Sequence, residues 1–220
     1  MSTKKQKRLS APERRALIER CATEVFAEHG YRGASMSEIA RRSGVTVPVL
    51  YDHFESKLEL HRRLLERTRN ELLEVWREHL GGDEPLAVRM PRAIDAWVGY
   101  VEARPYAARM YFRGGSGDAE AEAIHREIQG QARVALGVIL AREPAAERLA
   151  GAADQESMEM AAEIVRSGLT GLAMWWSEHP HVTREQIVRT ALGVLWNGLA
   201  AAGEPQSASG SSSPARRMTI

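Results

Sequence analysis

Hydrophobic residues along this chain recur at three- and four-residue intervals, and the intervals are broken at a small number of glycines and prolines. Leu17, Ile18, Cys21, Ala22, Val25 and Phe26 keep to one helical face, which Gly30 ends. A longer helix from Lys57 carries Leu58, Leu65, Leu72 and Trp76 along one side up to Gly81-Gly82. Residues 85 to 104 repeat the pattern through Leu86, Met90, Ile94, Trp97 and Val101. Pro105 interrupts it, and a short helix follows with Tyr106, Met110 and Tyr111. A helix from about 118 to 142 is predicted to bury Ile124, Ile128, Ala132, Ala135 and Ile139, and 143 to 153 is a connection. Two more helices cover 155 to 179 and 184 to 202, and from Gly203 the chain is a polar, low-complexity tail expected to be disordered. No stretch alternates in the manner of a strand, so the fold class is all-α.

Between the first helix and Lys57 the pattern shortens. Ser35 with Glu38, and Ser56 with Glu59, have the spacing of capping boxes, as do Ser10 and Glu13 at the start of the first helix. Gly44 suits a left-handed helix end. Thr46 is placed to cap the next short helix, and Pro48 in its first turn gives up no hydrogen bond. Leu50 and Phe54, four apart, supply one buried side. Two short helices joined by a tight glycine-containing turn are a helix-turn-helix, whose second helix lies in the DNA major groove.

The string I-A-R-R-S-G-V, two intervening positions, then V-L-Y-D-H-F-x-S-K resembles the DNA-binding domain of the TetR (tetracycline-repressor-like) family of bacterial transcription regulators. The resemblance covers roughly residues 10 to 60; beyond them only length and helical character match. It implies a three-helix DNA-binding domain at 1–56, a helical effector-binding and dimerisation domain at 57–202, and the tail at 203–220. By match to the motif, Ser35, Thr46, Tyr51, His53 and Lys57 are phosphate partners, and Ser37, Val47, Pro48 and Val49 face the bases. Apolar valines and proline can meet thymine methyl groups but cannot form the bidentate pairs that read guanine or adenine. Asp52 either accepts from a cytosine amine or faces solvent.

Composition narrows the picture. At 220 residues and 44% hydrophobic, the chain can bury a sizeable core, and a net charge of +1 gives no global attraction to nucleic acid or membrane. The basic residues that do cluster are Lys4, Lys5, Lys7, Arg8, Arg14 and Arg15. Lys4 to Arg8 form either a solvated tail or an arm that neutralises phosphates. One cysteine, Cys21, fits a reducing compartment, and no apolar run approaches the roughly 18 residues that span a bilayer. The expected location is the cytoplasm, with no membrane partner.

Control of DNA binding points to the larger domain. Met90, Trp97, Tyr100, Tyr106, Met110, Tyr111 and Trp175 are candidates for the lining of a small-molecule pocket, or else plain core. Glycines at 168, 171, 193 and 198 within helices imply close helix approach, either inside one chain or across the four-helix dimer interface that the resemblance implies for 155–179 and 184–202. The partners expected are therefore an operator duplex, a small apolar or aromatic effector, and a second copy of the chain. The Gly-rich 114–117 loop lacks the lysine of a phosphate loop. Seven histidines occur without H-E-x-x-H or matched E-x-x-H pairs, so a helical-bundle enzyme has no convergent catalytic set, and neither a metal nor a cofactor is expected. An architectural DNA protein would need more positive charge.

Overall fold

Ser10 caps the first helix. Its hydroxyl accepts from the Glu13 amide, and the Glu13 carboxylate accepts from the Ser10 amide at 2.8 Å, so the predicted box is complete and starts α1 (Ala11–Gly33). The computed structural model describes residues 9–115, 117–142 and 154–196. The basic arm before Leu9, the 143–153 connection, Gly198 and the tail with Arg216 and Arg217 lie outside the described residues. Gly30 has φ 67°, so the straight part of α1 stops there as expected, and one further turn carries the chain to Gly33.

The remaining helices are α2 (Met36–Ser43), α3 (Val47–Tyr51), α4 (Lys57–Leu80), α5 (Leu86–Ala103), α6 (Pro105–Phe112), α7 (Ala119–Ala141), α8 (Gln155–Glu178) and α9 (Arg184–Ala191). No strand is found among the described residues. The last element departs from expectation: the regular α-helix ends at Ala191, and Leu192–Trp196 continue as a π-helical turn. In α7 the buried residues are Ile124, Ile128, Ala132, Leu136 and Leu140, whereas the predicted Ala135 and Ile139 are only half-buried. The observed residues step by four throughout. At 3.6 residues per turn such a series winds round the helix, so the buried face moves one position past the stripe predicted with a three-residue step.

One continuous core runs from Ile18 and Phe26 in α1, through Leu60, Leu64 and Leu65 in α4, to Ile128 in α7 and Leu169 in α8. In α4, α5 and α7 one face packs into this body, while α1, α2 and α3 form a smaller unit at its end. The short helix α6 is the go-between. It packs on α1, on α4 and on α8, so it touches both the small unit and the body.

Two buried polar groups join the units. Glu19 of α1 accepts from Arg63 at 2.6 Å and Arg67 at 2.7 Å, both on α4, with Arg15 at 3.5 Å. His61 of α4 stands against the stacked rings of Phe26 and Tyr31, with centroids 4.8 and 5.0 Å away. Burial, helped by the charges of His125 and Lys57, pushes the His61 pKa down to about 4 from 6.5. The unfolded chain then binds the extra proton first, so stability is whole above about pH 6.5 and is lost as pH falls toward 4. For a shift of this size the loss approaches about 3 kcal/mol. Urea denaturation at pH 7 and pH 4.5 should show this loss in the wild type and a reduced one in His61→Phe; the same loss in both would assign it elsewhere.

Candidate DNA-binding surface

The helix-turn-helix is built from small local decisions. The Ser35 hydroxyl accepts from the Glu38 amide at 3.1 Å and starts α2. Glu38 does not return the bond. Its carboxylate is taken by Arg41 (2.9 and 2.8 Å) and Arg42 (2.8 Å), which hold its pKa at about 2. Arg42 also pairs with Glu28 of α1 at 2.7 Å, tying α2 to α1. Gly44 ends α2 at φ 65°, ψ 28°, in the left-handed region, and its amide returns to Ala40 and Arg41. Thr46 begins α3 in extended backbone but makes no side-chain cap bond. Pro48 explains why this is tolerated: it brings no N–H to be satisfied in the first turn. Ser56 caps α4 through the Glu59 amide at 3.0 Å, again without the return half, and Glu59 Oε2 is buried without a partner.

Packing then fixes the unit. Ile39, Leu50 and Phe54 are fully buried, each worth about 1.5–3 kcal/mol in burial. Phe54 lies beyond the end of α3, so the buried side is completed by the turn that follows. What remains outside is polar or short. Ser35, Ser37, Thr46 and Pro48 are exposed, Val49 and His53 are half-buried, and Val47 packs against the core. Tyr51 keeps 48% of its surface although it is a large aromatic ring beside Leu50 and Phe54. Its ring is free to meet a surface outside the chain. Asp52 caps the end of α3 through its amide and is exposed.

Lys57, assigned to a phosphate by the motif, turns inward in this structure. Its Nζ donates to the carbonyls of Tyr31 (2.9 Å) and Ala34 (3.1 Å) and lies 4.3 Å from the Tyr31 ring centroid. The carbonyls left unpaired past the Gly30 kink attract the nearest ammonium, so in this structure Lys57 fastens α1 to α4. Sequence reasoning also passed over Arg41, Arg42 and Glu19. Their signal was available: Arg15 and Glu19, like Arg63 and Arg67, are four apart and so share a helix face.

A model for bacterial regulatory proteins of the tetR family matches residues 20–64, the stretch that runs from α1 through the helix-turn-helix into α4. Over 199 residues the chain is 28% identical to the HTH-type transcriptional activator FasR of Mycolicibacterium smegmatis, covering 87% of this chain and 85% of that protein. Residues 20–64 are a TetR-family DNA-binding domain. Among solved structures, the fatty acid degradation regulator FadR of Bacillus halodurans superposes with a TM-score of 0.69 at 17% identity, covering 83% of this chain and 98% of that one. FadR of Bacillus subtilis, in complex with stearoyl-CoA, gives 0.67 at 18% identity, with 86% and 99% covered. At these identities the structures speak for the fold. With this domain the chain is a DNA-binding transcription regulator, its helix-turn-helix lying at α2 and α3.

The seven candidate pocket residues do not converge. Of the seven, Tyr106 alone lines a groove of about 710 Å³ between the α5–α6 corner, the end of α8 and the α8–α9 loop. Its walls are Val101, Phe112, Met174 and Trp176, with Arg109 and Arg184 at the edges. Trp97 and Tyr111 bound a void of only about 40 Å³. Met90 and Tyr100 are core, and the Tyr100 hydroxyl donates to Glu71 of α4 at 2.8 Å. Met110 faces a separate cavity near α1. Trp175 is exposed and stacks on His179 at 3.9 Å. Helical spacing marks a face as apolar but does not tell a cavity wall from a packed interior. Among the described residues no group of three or more His, Cys, Asp or Glu side chains is placed to hold a metal ion, and no helix is long and apolar enough to cross a membrane.

Proposed function

We propose that two copies of this chain pair through α8 and α9, grip a two-fold symmetric operator with α2 and α3, and are released when an apolar effector fills the groove beside α6. The observation that carries the reading is the exposed Tyr51 on a recognition helix whose other side, at Leu50, is sealed in the core. Ser35, Thr46, Tyr51 and His53 are assigned to phosphates and Ser37, Pro48 and Val49 to base edges, with Val47 a weaker reader because it packs inward. Lys57 presents its helix N-terminus rather than its ammonium. The work of 1–56 is DNA contact and that of 57–202 is effector binding and pairing, in the cytoplasm where the DNA is.

Pairing is supported by a stripe on α8. Met160, Ile164, Gly168, Gly171 and Trp175 follow helical spacing, and Ile164 keeps 58% of its surface. On the neighbouring π turn Val194 keeps 70%. Gly168 is accounted for inside the protomer, since a Cβ there would stand 3.0 Å from Leu195. Gly171 and Gly193 have open space around them, and mid-helix glycine costs about 1 kcal/mol relative to alanine. A partner helix lying close at these points offsets that cost.

Release is supported by the placement of α6. Ala108, Arg109 and Phe112 face the groove, while other faces of α6 pack on α1 and α4. An occupant that prefers a displaced α6 shifts the small unit with it. The groove is mainly apolar at its walls and within the size range of ligand sites. A fatty acyl group, as carried by the stearoyl-CoA bound to the Bacillus subtilis FadR, is the first effector to try. FasR is named an activator, and the sign of control depends on where the operator lies relative to a promoter, not on the binding chemistry. The test is binding to an operator duplex, followed by fluorescence anisotropy. Affinity should fall at least about tenfold between 50 and 200 mM salt, as phosphate contacts require, and stearoyl-CoA should release the duplex. A salt-independent affinity would contradict the DNA reading, and release by no acyl compound would contradict only the effector.

A further inference from the structure

A second cavity, of about 160 Å³, lies apart from the groove, where the end of α1 meets α4, the end of α6 and the start of α7. Its wall contains a feature that the DNA-binding reading does not use. His61 is only 6% exposed, and its Nδ1 is buried without a hydrogen-bond partner. A ring nitrogen taken out of water and left unpaired weakens the fold unless something arrives to bond it. Its buried neighbours on α4 include Leu60, Leu64, Leu65 and Thr68, whose hydroxyl is spent on the Leu64 carbonyl at 3.0 Å, so among them His61 alone leaves a polar atom unpaired.

The surroundings say what would arrive. Phe26, Tyr31 and Met110 supply an apolar side. Both carboxylates of the wall are already engaged: Glu28 with Arg42 at 2.7 Å, and Glu122 with the Gly117 amide at 3.0 Å. The guanidiniums of Arg32 and Arg113 stand at the exposed rim, with no carboxylate partner among the described residues. His125 spends its Nε2 on the Tyr111 carbonyl at 2.9 Å. The cavity therefore offers unpaired positive charge, one unpaired ring nitrogen and an aromatic wall. Its volume is close to the roughly 150 Å³ that holds a benzene molecule in an engineered protein cavity.

We propose that this junction cavity binds a small organic monocarboxylate of about the size of benzoate. The apolar body lies against Phe26, Tyr31 and Met110, and the carboxylate is held by Arg113 and the free ring nitrogen of His61. This site is separate from the groove beside α6 and does not depend on the effector assigned there.

The test is calorimetric titration of the full-length chain, without DNA, using sodium benzoate, benzamide and inorganic phosphate as probes. Benzoate should bind with a dissociation constant of about 1 mM or below. Benzamide, of the same shape without the charge, and phosphate, with the charge but no apolar body, should each be at least about tenfold weaker. Arg113→Gln, a change at an exposed side chain, should weaken benzoate at least about tenfold at an unchanged melting temperature. His61→Phe, which keeps a ring against Phe26 and Tyr31, should weaken benzoate by a similar factor without lowering the melting temperature at pH 7. In the wild type, benzoate should shift the His61 ring-nitrogen resonances. Absence of benzoate binding at 10-fold that concentration, equal binding of benzamide or phosphate, or undiminished binding by both variants would overturn the proposal. Because no DNA is present, such a failure leaves the DNA-binding reading untouched.

Discussion

Tyr51→Ala should lower operator affinity by at least about tenfold while the melting temperature stays within about 2 °C of the wild type. The two halves of this expectation come from one number, the 48% of Tyr51 that remains in solvent. A half-exposed ring contributes little packing, so its removal leaves Leu50 and Phe54 sealed and the unit folded. The same ring, at the end of a helix laid in the major groove, is lost from the DNA side altogether. Lys57→Ala is the contrast. It removes two charge-assisted bonds that join α1 to α4, at 2.9 and 3.1 Å. Discounted for partial solvation, these are worth about 1–2 kcal/mol. For a chain of this size that is a fall of several degrees in melting temperature. A large fall with Tyr51→Ala and none with Lys57→Ala would reverse both assignments.

Ile164→Glu combined with Val194→Glu should convert the dimer to a monomer at micromolar concentration and reduce operator affinity by about a hundredfold or more. Both side chains are already in solvent in one protomer, so the substitutions leave the core intact and circular dichroism should not change. In a two-fold interface each substitution occurs twice, and the introduced carboxylates face their own copies or each other. A monomer holds one half-site and forfeits the gain from tethering two. Sedimentation velocity on the wild type and the double variant decides the matter; a wild type that sediments as a monomer, or a variant that remains dimeric, removes α8 and α9 as the interface.

How much of this was legible in the sequence depended on how local the physics was. The helix starts at Ser10, Ser35, Ser56, Asp118 and Thr183 are governed by residues three positions away, which is why those at Ser10, Ser35 and Ser56 were readable directly. The complete boxes are those of Ser10 with Glu13 and Thr183 with Gln186. At Ser35 the return half was lost to a stronger competitor, because two arginines outbid one backbone amide for the Glu38 carboxylate. The motif around Tyr51 was legible because spacing, turn glycine and first-turn proline all agree.

The failures share a cause: they needed partners distant in the chain. The direction of Lys57 depends on carbonyls 26 and 23 residues earlier, beyond the Gly30 bend, and no local spacing relates those positions. The division of Trp97, Tyr106 and Met110 among three separate hollows depends on which neighbour each helix face meets. His61 sits where a leucine would have been expected, and only the fold shows that its ring nitrogen is left without a partner.

The account rests on a paired helix-turn-helix gripping a duplex at two matching points. The most direct measurement is selection of bound duplexes from a random library by the full-length chain, with sequencing of what is retained. Two inverted copies of one half-site should be enriched, with centres about one DNA turn, roughly 34 Å, apart or a multiple of it. Enrichment of a single asymmetric site, or none above the starting library, would contradict the account.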